Sequence, residues 1–249
     1  MSDHVLHIRH GGVLELAMNR AEKKNALTGA MYEALIAGFD EADASDEIAA
    51  IVITGRGGVF SAGNDIGDFM AHAGKSQDFP ALRFVRRLAS LETPLVAAVD
   101  GLAIGVGTTM LFHCDLVYAS STAQMRTPFV DLALVPEAAA SLLMPQRLGL
   151  ARANALLLLG EAMNAQEAKD AGLVNAIADG DALHALALEK AQALATKPRE
   201  ALRNARRLVR GDRSAILDRI EEEAVLFKKA MGSAEAARVF MAFMNKAKS

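Results

Sequence analysis

Phe60-Ser61-Ala62-Gly63-Asn64-Asp65-Ile66 and Asp100-Gly101-Leu102-Ala103-Ile104-Gly105-Val106-Gly107 are two glycine-bearing stretches, and each comes after an apolar run with the character of a buried strand. The first run, residues 49–54, is rich in β-branched side chains and ends at Gly55; the second, residues 95–99, follows Thr93-Pro94. Apolar runs of this length without alternation belong to strands covered on both faces, as in parallel sheets. Neither stretch is a nucleotide fingerprint. Gly55-Arg56-Gly57-Gly58 lacks the spacing of a dinucleotide fold, and no Lys-Ser/Thr pair follows Gly107 as a phosphate-binding loop requires. Taken alone, the glycines between Gly101 and Gly107 serve a tight strand-to-helix crossover.

Working outward, residues 5–9 and 13–18 flank Gly11-Gly12 and read as a hairpin. Thr28 is placed to cap a helix whose Met31, Leu35 and Phe39 recur at helical spacing. A helix is expected around 81–91 and a short one opening at the end of the second glycine stretch. Residues 115–119 and 123–126 read as two more short strands. From Ala138 onward helical patterns dominate, interrupted by glycines and Pro198, with a helix predicted over 138–148 and a capping pair at Asn164 and Glu167. Strand–helix alternation followed by helices implies an α/β core with a helical C-terminal region.

The 249 residues carry 27 basic and 30 acidic side chains, a net charge of −3, so no positive field favours nucleic acid. The local exception, Arg203, Arg206, Arg207, Arg210 and Arg213, reads as an exposed helix face. The single cysteine, Cys114, precludes an internal disulfide, fits a reducing compartment, and lies in an apolar run as a buried thiol. Met1-Ser2-Asp3-His4 does not open a secretory signal, no apolar window reaches membrane-span length, and Lys248-Ser249 does not end a peroxisomal tripeptide. The expectation is a cytoplasmic protein with no membrane partner. No His/Cys/Asp cluster has metal-ligand spacing and no Gly-X-Ser-X-Gly is present, so neither a metal centre nor a serine triad is expected.

Together the two glycine stretches resemble the paired loops of the crotonase (enoyl-CoA hydratase/isomerase) superfamily, the second ending at Cys114-Asp115. Arg20 with Lys23-Lys24-Asn25-Ala26-Leu27 is similar to the family's first acyl-CoA contact segment. Leu134-Val135-Pro136-Glu137 through Arg147-Leu148-Gly149 is similar to the segment after the catalytic loop, and Ser233-Ala234-Glu235-Ala236 through Phe240 and Lys246 to the last helix. The resemblance implies an α/β, ClpP-like spiral β-β-α fold, with a core over 1–195 and a helical trimerisation or lid region over 196–249. It also implies a homotrimer or dimer of trimers. Coenzyme A enters only as the substrate's thioester carrier, with no other cofactor.

The same resemblance assigns site residues. The backbone N–H groups of Asn64 and Val106 would hold a thioester oxygen, and the backbone around Ala62, Asp65 and Ile66 would line the adenine end of coenzyme A. Lys23, Lys24 and Ala26 would lie near its pantetheine and phosphates, although both lysines read equally well as solvated charges. The two glutamates of family hydratases fall here at Thr109 and Phe129, so both carboxylates are missing. Glu137 survives. By itself it reads as a glutamate favoured by a helix N-terminus; by resemblance to the Δ3,Δ2-enoyl-CoA isomerase branch it is the lone catalytic base, with Phe129, Leu132 and Leu134 as candidate walls. Ala138-Ala139-Ala140 departs from that branch, where glycine often follows the glutamate. Asp131 reads as a strand-end surface residue or an auxiliary acid, and His113 as a satisfied core histidine. A relocated hydratase, a dehalogenase- or hydrolase-like enzyme, and a binding module such as the family's RNA-binding offshoot stand as alternatives.

Overall fold

The hairpin opens the chain: β1 (Val5–His10) pairs antiparallel with β2 (Val13–Met18), Val5 opposite Met18 and His10 opposite Val13. Gly11, at φ 62°, supplies the left-handed first turn position that such a tight hairpin needs. In the computed structural model, which describes residues 3–72 and 79–246, the chain continues through α1 (Gly29–Ala44), β3 (Ala50–Gly55), α2 (Ile66–His72), α3 (Pro80–Ser90) and β4 (Leu95–Val99). Then come β5 (Leu102–Ile104), α4 (Val106–Thr109), β6 (Leu116–Ala119) and β7 (Gln124–Arg126). The C-terminal half holds α5 (Ala140–Leu148), α6 (Leu150–Leu158), β8 (Ala162–Asn164), α7 (Ala165–Asp170), β9 (Ala176–Ile177), α8 (Asp181–Ala195), α9 (Arg199–Arg210), α10 (Ser214–Met231) and α11 (Ala234–Lys246). Among the described residues the strands form a main sheet in the order β1-β2-β3-β4-β6-β9, parallel from β2 onward, and a small sheet β5-β7-β8. This is the mixed α/β architecture with a helical C-terminal region that the residues imply.

The apolar runs are explained by burial on both faces of the main sheet. Ile51, Ile53, Leu95, Ala97 and Val99 enter a core shared with Met31, Leu35 and Phe39 of α1 and Phe84 and Leu88 of α3. Ala50, Val52, Val96 and Ala98, the alternate residues, face Leu183, Ala187 and Ala191 of α8. Each fully buried large side chain contributes roughly 1.5–3 kcal/mol. Helix α1 starts where Thr28 accepts the Met31 N–H at 3.3 Å. Beside the face that α8 covers, Glu15 is fully buried, and Arg56 (2.7 Å), His10 (2.7 Å) and His184 (3.0 Å) surround its carboxylate, as a buried charge requires.

Several readings change. Strands β5, β8 and β9 interrupt stretches read as loop or helix, because two- and three-residue strands show no period and exist only through their partners. Helix α5 begins at Ala140, not Ala138. The basic cluster is not an exposed face throughout: Arg206 is 7% exposed, with Nε on Asp115 at 2.9 Å and Nη1 on the Leu91 and Glu92 carbonyls. Arg210 also reaches Asp115, and Arg213 reaches the Ala89 and Leu91 carbonyls. Carbonyls left unpaired at the end of α3 attract these cations. Cys114 is buried as expected, and burial pushes its thiol up to about 12. Among the described residues no helix is long and apolar enough to cross a membrane. Met1, Ser2 and 247–249, read above for targeting, lie outside the described residues.

Phe84 packs between Phe39 (ring centroids 5.8 Å) and Tyr32 (5.1 Å) and joins α3 to α1. Phe84→Ala is expected to cost about 3–5 kcal/mol of stability. Urea unfolding reads this directly, and a loss under about 1 kcal/mol would show that this junction does not anchor α3.

Candidate active site

The two glycine stretches meet beyond the C-terminal ends of the neighbouring parallel strands β3 and β4. The Ser61 N–H donates to Leu102 O and the Ile104 N–H to Ser61 O, both at 2.9 Å, so the loops are joined as a short parallel bridge. Gly63 makes the approach possible: at φ 85°, a Cβ there would stand 2.8 Å from the Ile104 carbonyl oxygen. A second bridge joins Leu27 to Asn64, with the Leu27 N–H on Gly63 O (2.7 Å) and the Asp65 N–H on Leu27 O (2.9 Å). Among the described residues that pairing leaves the Asn64 N–H unused between two engaged neighbours, and Val106 at the start of α4 has no preceding turn to bond its own. The Asn64 side chain is turned to Tyr32, whose hydroxyl donates to Oδ1 at 2.6 Å. Burial first, then the Glu137 and Asp68 charges, holds the Tyr32 phenol well above its ordinary range.

Asn64 and Glu137 line the same narrow cavity, of about 30 Å³. Its other walls are apolar: Phe79, Leu82 and Val85 at α3, and Ile220, Ala224 and Phe227 on α10. Phe129, Leu132 and Leu134, the walls expected from sequence, are not among the lining residues; Phe129 and Leu134 pack into the core. Glu137 is half-buried, and Thr109 Oγ1 donates to its Oε1 at 2.5 Å. Burial pushes its pKa up to about 8, the Thr109 bond opposing and the Glu223 charge adding. A carboxyl so poised can both take and return a proton near neutrality. Glu137 does not sit on a helix N-terminus as its bland reading required. Ala138 and Ala139 intervene at φ 58° and 55°, two left-handed residues bearing Cβ atoms, each costing roughly 1–2 kcal/mol.

The residues expected around coenzyme A are brought together. Ala62 N–H donates to Lys24 O at 2.9 Å, so Lys23, Lys24 and Ala26 lie beside the first glycine loop, both lysines exposed. The Asp65 carboxylate is committed to Arg20 at 2.8 Å, and Ile66 starts α2. Asp131 is exposed in a 3-10 turn rather than at a strand end, and it pairs with Arg126. His113 is a buried, satisfied histidine as expected, with Nε2 2.8 Å from Ala138 O. Sequence reasoning missed Tyr32 and Glu223. Tyr32 carried one signal, a polar tip on the apolar face of α1; Glu223, inside Glu221-Glu222-Glu223, carried none. No group of three His, Cys, Asp or Glu among the described residues is arranged to hold a metal ion.

A family model described as enoyl-CoA hydratase/isomerase matches residues 9–249. The chain is 32% identical over 249 residues to enoyl-CoA delta isomerase 2 of Rattus norvegicus, a match covering 97% of this chain but 63% of that relative, so it spans less than two thirds of its length. It is 33% identical over 205 residues to 1,2-epoxyphenylacetyl-CoA isomerase of Escherichia coli, covering 80% of this chain and 78% of that one. A solved enoyl-CoA hydratase/isomerase from Pseudoalteromonas atlantica T6c superposes with a TM-score of 0.93 at 40% identity over 98% of both chains.

The raised carboxyl makes stability depend on pH. Between an ordinary unfolded value of 4.5 and about 8, the folded state holds a proton that the unfolded state has released. Its contribution is full below pH 4.5 and is lost as pH rises through 8. Glu137→Gln removes this loss, so the variant is expected to melt above the parent at pH 8.5, with the gap closing toward pH 4.5. Parallel melting curves for the two proteins across that range would contradict the buried, protonated carboxyl.

Proposed function

The chain belongs to the enoyl-CoA hydratase/isomerase, or crotonase, family, and on that premise we propose that it moves a 3-enoyl-CoA double bond to the 2-position with Glu137 as its single acid/base group. The observation that carries this is the cavity itself: among the described residues that line it, Glu137 is the one ionisable side chain, and it faces apolar walls. Glu137 takes a proton from C2, charge moves onto the thioester oxygen, and the Asn64 and Val106 N–H groups hold that oxygen. Two such donors supply several kcal/mol of stabilisation to the developing enolate (~3 kcal/mol each). Glu137 then delivers the proton to C4, and the conjugated product forms. Base and acid are one group, so the step uses neither a second carboxylate nor a resident cofactor.

Thr109 supports isomerisation over hydration. It occupies the place of one hydratase glutamate, is fully buried, and spends its hydroxyl on Glu137. Phe129 replaces the other and is buried in the core. Hydration would forgo both acid/base groups, each typically contributing ~10²–10⁴-fold. Phe79 and Phe227 in the cavity wall, with the likeness to the Escherichia coli relative, also suit a ring-bearing acyl group. The exposed loop-side lysines Lys23 and Lys24 suit the phosphates of coenzyme A. Association between copies is part of this reading: Leu208 and Val209 on α9 are 78% and 87% exposed, and Val225 on α10 is 70% exposed. Apolar side chains this exposed on two C-terminal helices suit contact with a second copy.

Purified protein should conjugate a 3-enoyl-CoA, with kcat/KM rising as pH passes through about 8 while Glu137 loses its proton. Glu137→Gln should lose on the order of 10²–10⁴-fold in kcat. Hydration of a 2-enoyl-CoA that persists in that variant would overturn the assignment. Sedimentation equilibrium is expected to return a trimer or a dimer of trimers; a monomer would remove the oligomer from the proposal.

A further inference from the structure

The peptide unit joining Ala138 to Ala139 is gripped at both of its polar atoms. Its carbonyl lies 2.8 Å from Nε2 of His113, on the 3-10 turn that follows α4. Burial pushes the His113 pKa down to about 4, so the ring is neutral, and the carbonyl partner makes Nε2 the donor. The N–H of the same peptide donates to Glu223 Oε2 on α10 at 2.6 Å. Oε1 of Glu223 accepts the Ser141 N–H at 3.0 Å and the Ser141 hydroxyl at 2.6 Å. Both gripping residues are buried, His113 at 4% and Glu223 at 5% exposure.

This turn follows Glu137 directly, and its two alanines hold a backbone conformation that alanine resists. We infer that His113 and Glu223 are positioning residues for Glu137: they clamp the Ala138–Ala139 peptide in its left-handed turn and thereby hold the carboxyl against Thr109 and the cavity. The inference rests on the reading of Glu137 as the base. The helix that carries Glu223 also presents Ile220, Ala224 and Phe227 to the cavity. A bound acyl group therefore touches the same helix that holds the base in place.

Glu223 also acts through its charge. The groups that act on Glu137 are Thr109 from α4, Tyr32 from α1 with Asp68 of α2 behind it, and Glu223 of α10, which is itself flanked by Arg219; the neutral His113 holds the next residue's carbonyl. After burial, the Glu223 charge is what raises Glu137 further. Removing that charge lowers the Glu137 pKa, so the rise of kcat/KM with pH moves to lower pH.

The experiment compares parent, Glu137→Gln, Glu223→Gln, and Glu223→Gln combined with Ala138→Gly and Ala139→Gly, each read as full pH profiles of 3-enoyl-CoA isomerisation. Glu223→Gln should lower the kcat plateau about 10- to 100-fold, the scale of a misplaced catalytic group, and shift the acid limb downward. The glycine substitutions should restore much of the plateau, because glycine takes positive φ freely, while the limb stays shifted. A Glu223→Gln protein with lower melting temperature but parental kcat and parental limb would overturn the clamp. If Glu223→Gln does not fold, Ser141→Ala removes one of the carboxylate's donors, and an unchanged kcat there overturns it equally. Activity retained by Glu137→Gln would instead sink the base assignment, a result distinct from either.

Discussion

A Cβ at position 63 would stand 2.8 Å from the Ile104 carbonyl oxygen, and that absence of room organises the molecule. Because residue 63 is glycine, the loop after β3 can lie against β5 and exchange hydrogen bonds between Ser61 and both Leu102 and Ile104. The bridge requires β3 and β4 to be parallel neighbours, since both loops must leave the same end of the sheet. Parallel strands in turn must be covered on both faces, which is why α1 and α3 pack on one side and α8 on the other. The Asn64 and Val106 amides are by-products of this pairing. They are the N–H groups that a short bridge and a helix start leave without partners.

What surrounds Glu137, across the cavity from Asn64, is defined by the charge it lacks. Among the described residues no cation lines the cavity beside Glu137, and the walls from α3 and α10 are hydrocarbon. Several other buried or half-buried carboxylates are matched by arginines: Arg56 stands against Glu15, Arg206 and Arg210 against Asp115, Arg87 against Asp43. Glu137 is offered a threonine hydroxyl, a tyrosine at a distance and a second carboxylate. That contrast fits the proposed role of Glu137 in proton transfer, because an arginine beside it would hold it ionised and useless as an acid.

The legible part of the sequence was the part whose signal is local. Apolar runs at 49–54 and 95–99 reported strands buried on both faces, Thr28 reported a helix start, and Pro136-Glu137 stood out in an uncharged stretch. Illegible residues owe their roles to distant partners. Glu221, Glu222 and Glu223 are identical letters in a row, yet the first pairs with Arg86, the second with Arg219, and the third is buried under the Ala138–Ala139 turn. Arg206 and Arg207 divide in the same way, one buried and one exposed. Helical spacing permits either role, and only packing of α9 and α10 on α3 and α5 chooses between them.

The Ala138–Ala139 turn shows why such distant partners are retained. Glycine at both positions would adopt the turn without cost, but it would also let the chain leave it, since glycine reaches right- and left-handed regions about equally. Alanine disfavours the turn and narrows the alternatives, and the missing stability is returned by His113 and Glu223 from two other elements. A conformation assembled this way depends on tertiary structure rather than on local preference. One of those elements, α10, also supplies the cavity's second wall. The helix that holds the turn after Glu137 thus also encloses the apolar cavity, and burial beside such walls is what lifts that carboxyl toward 8.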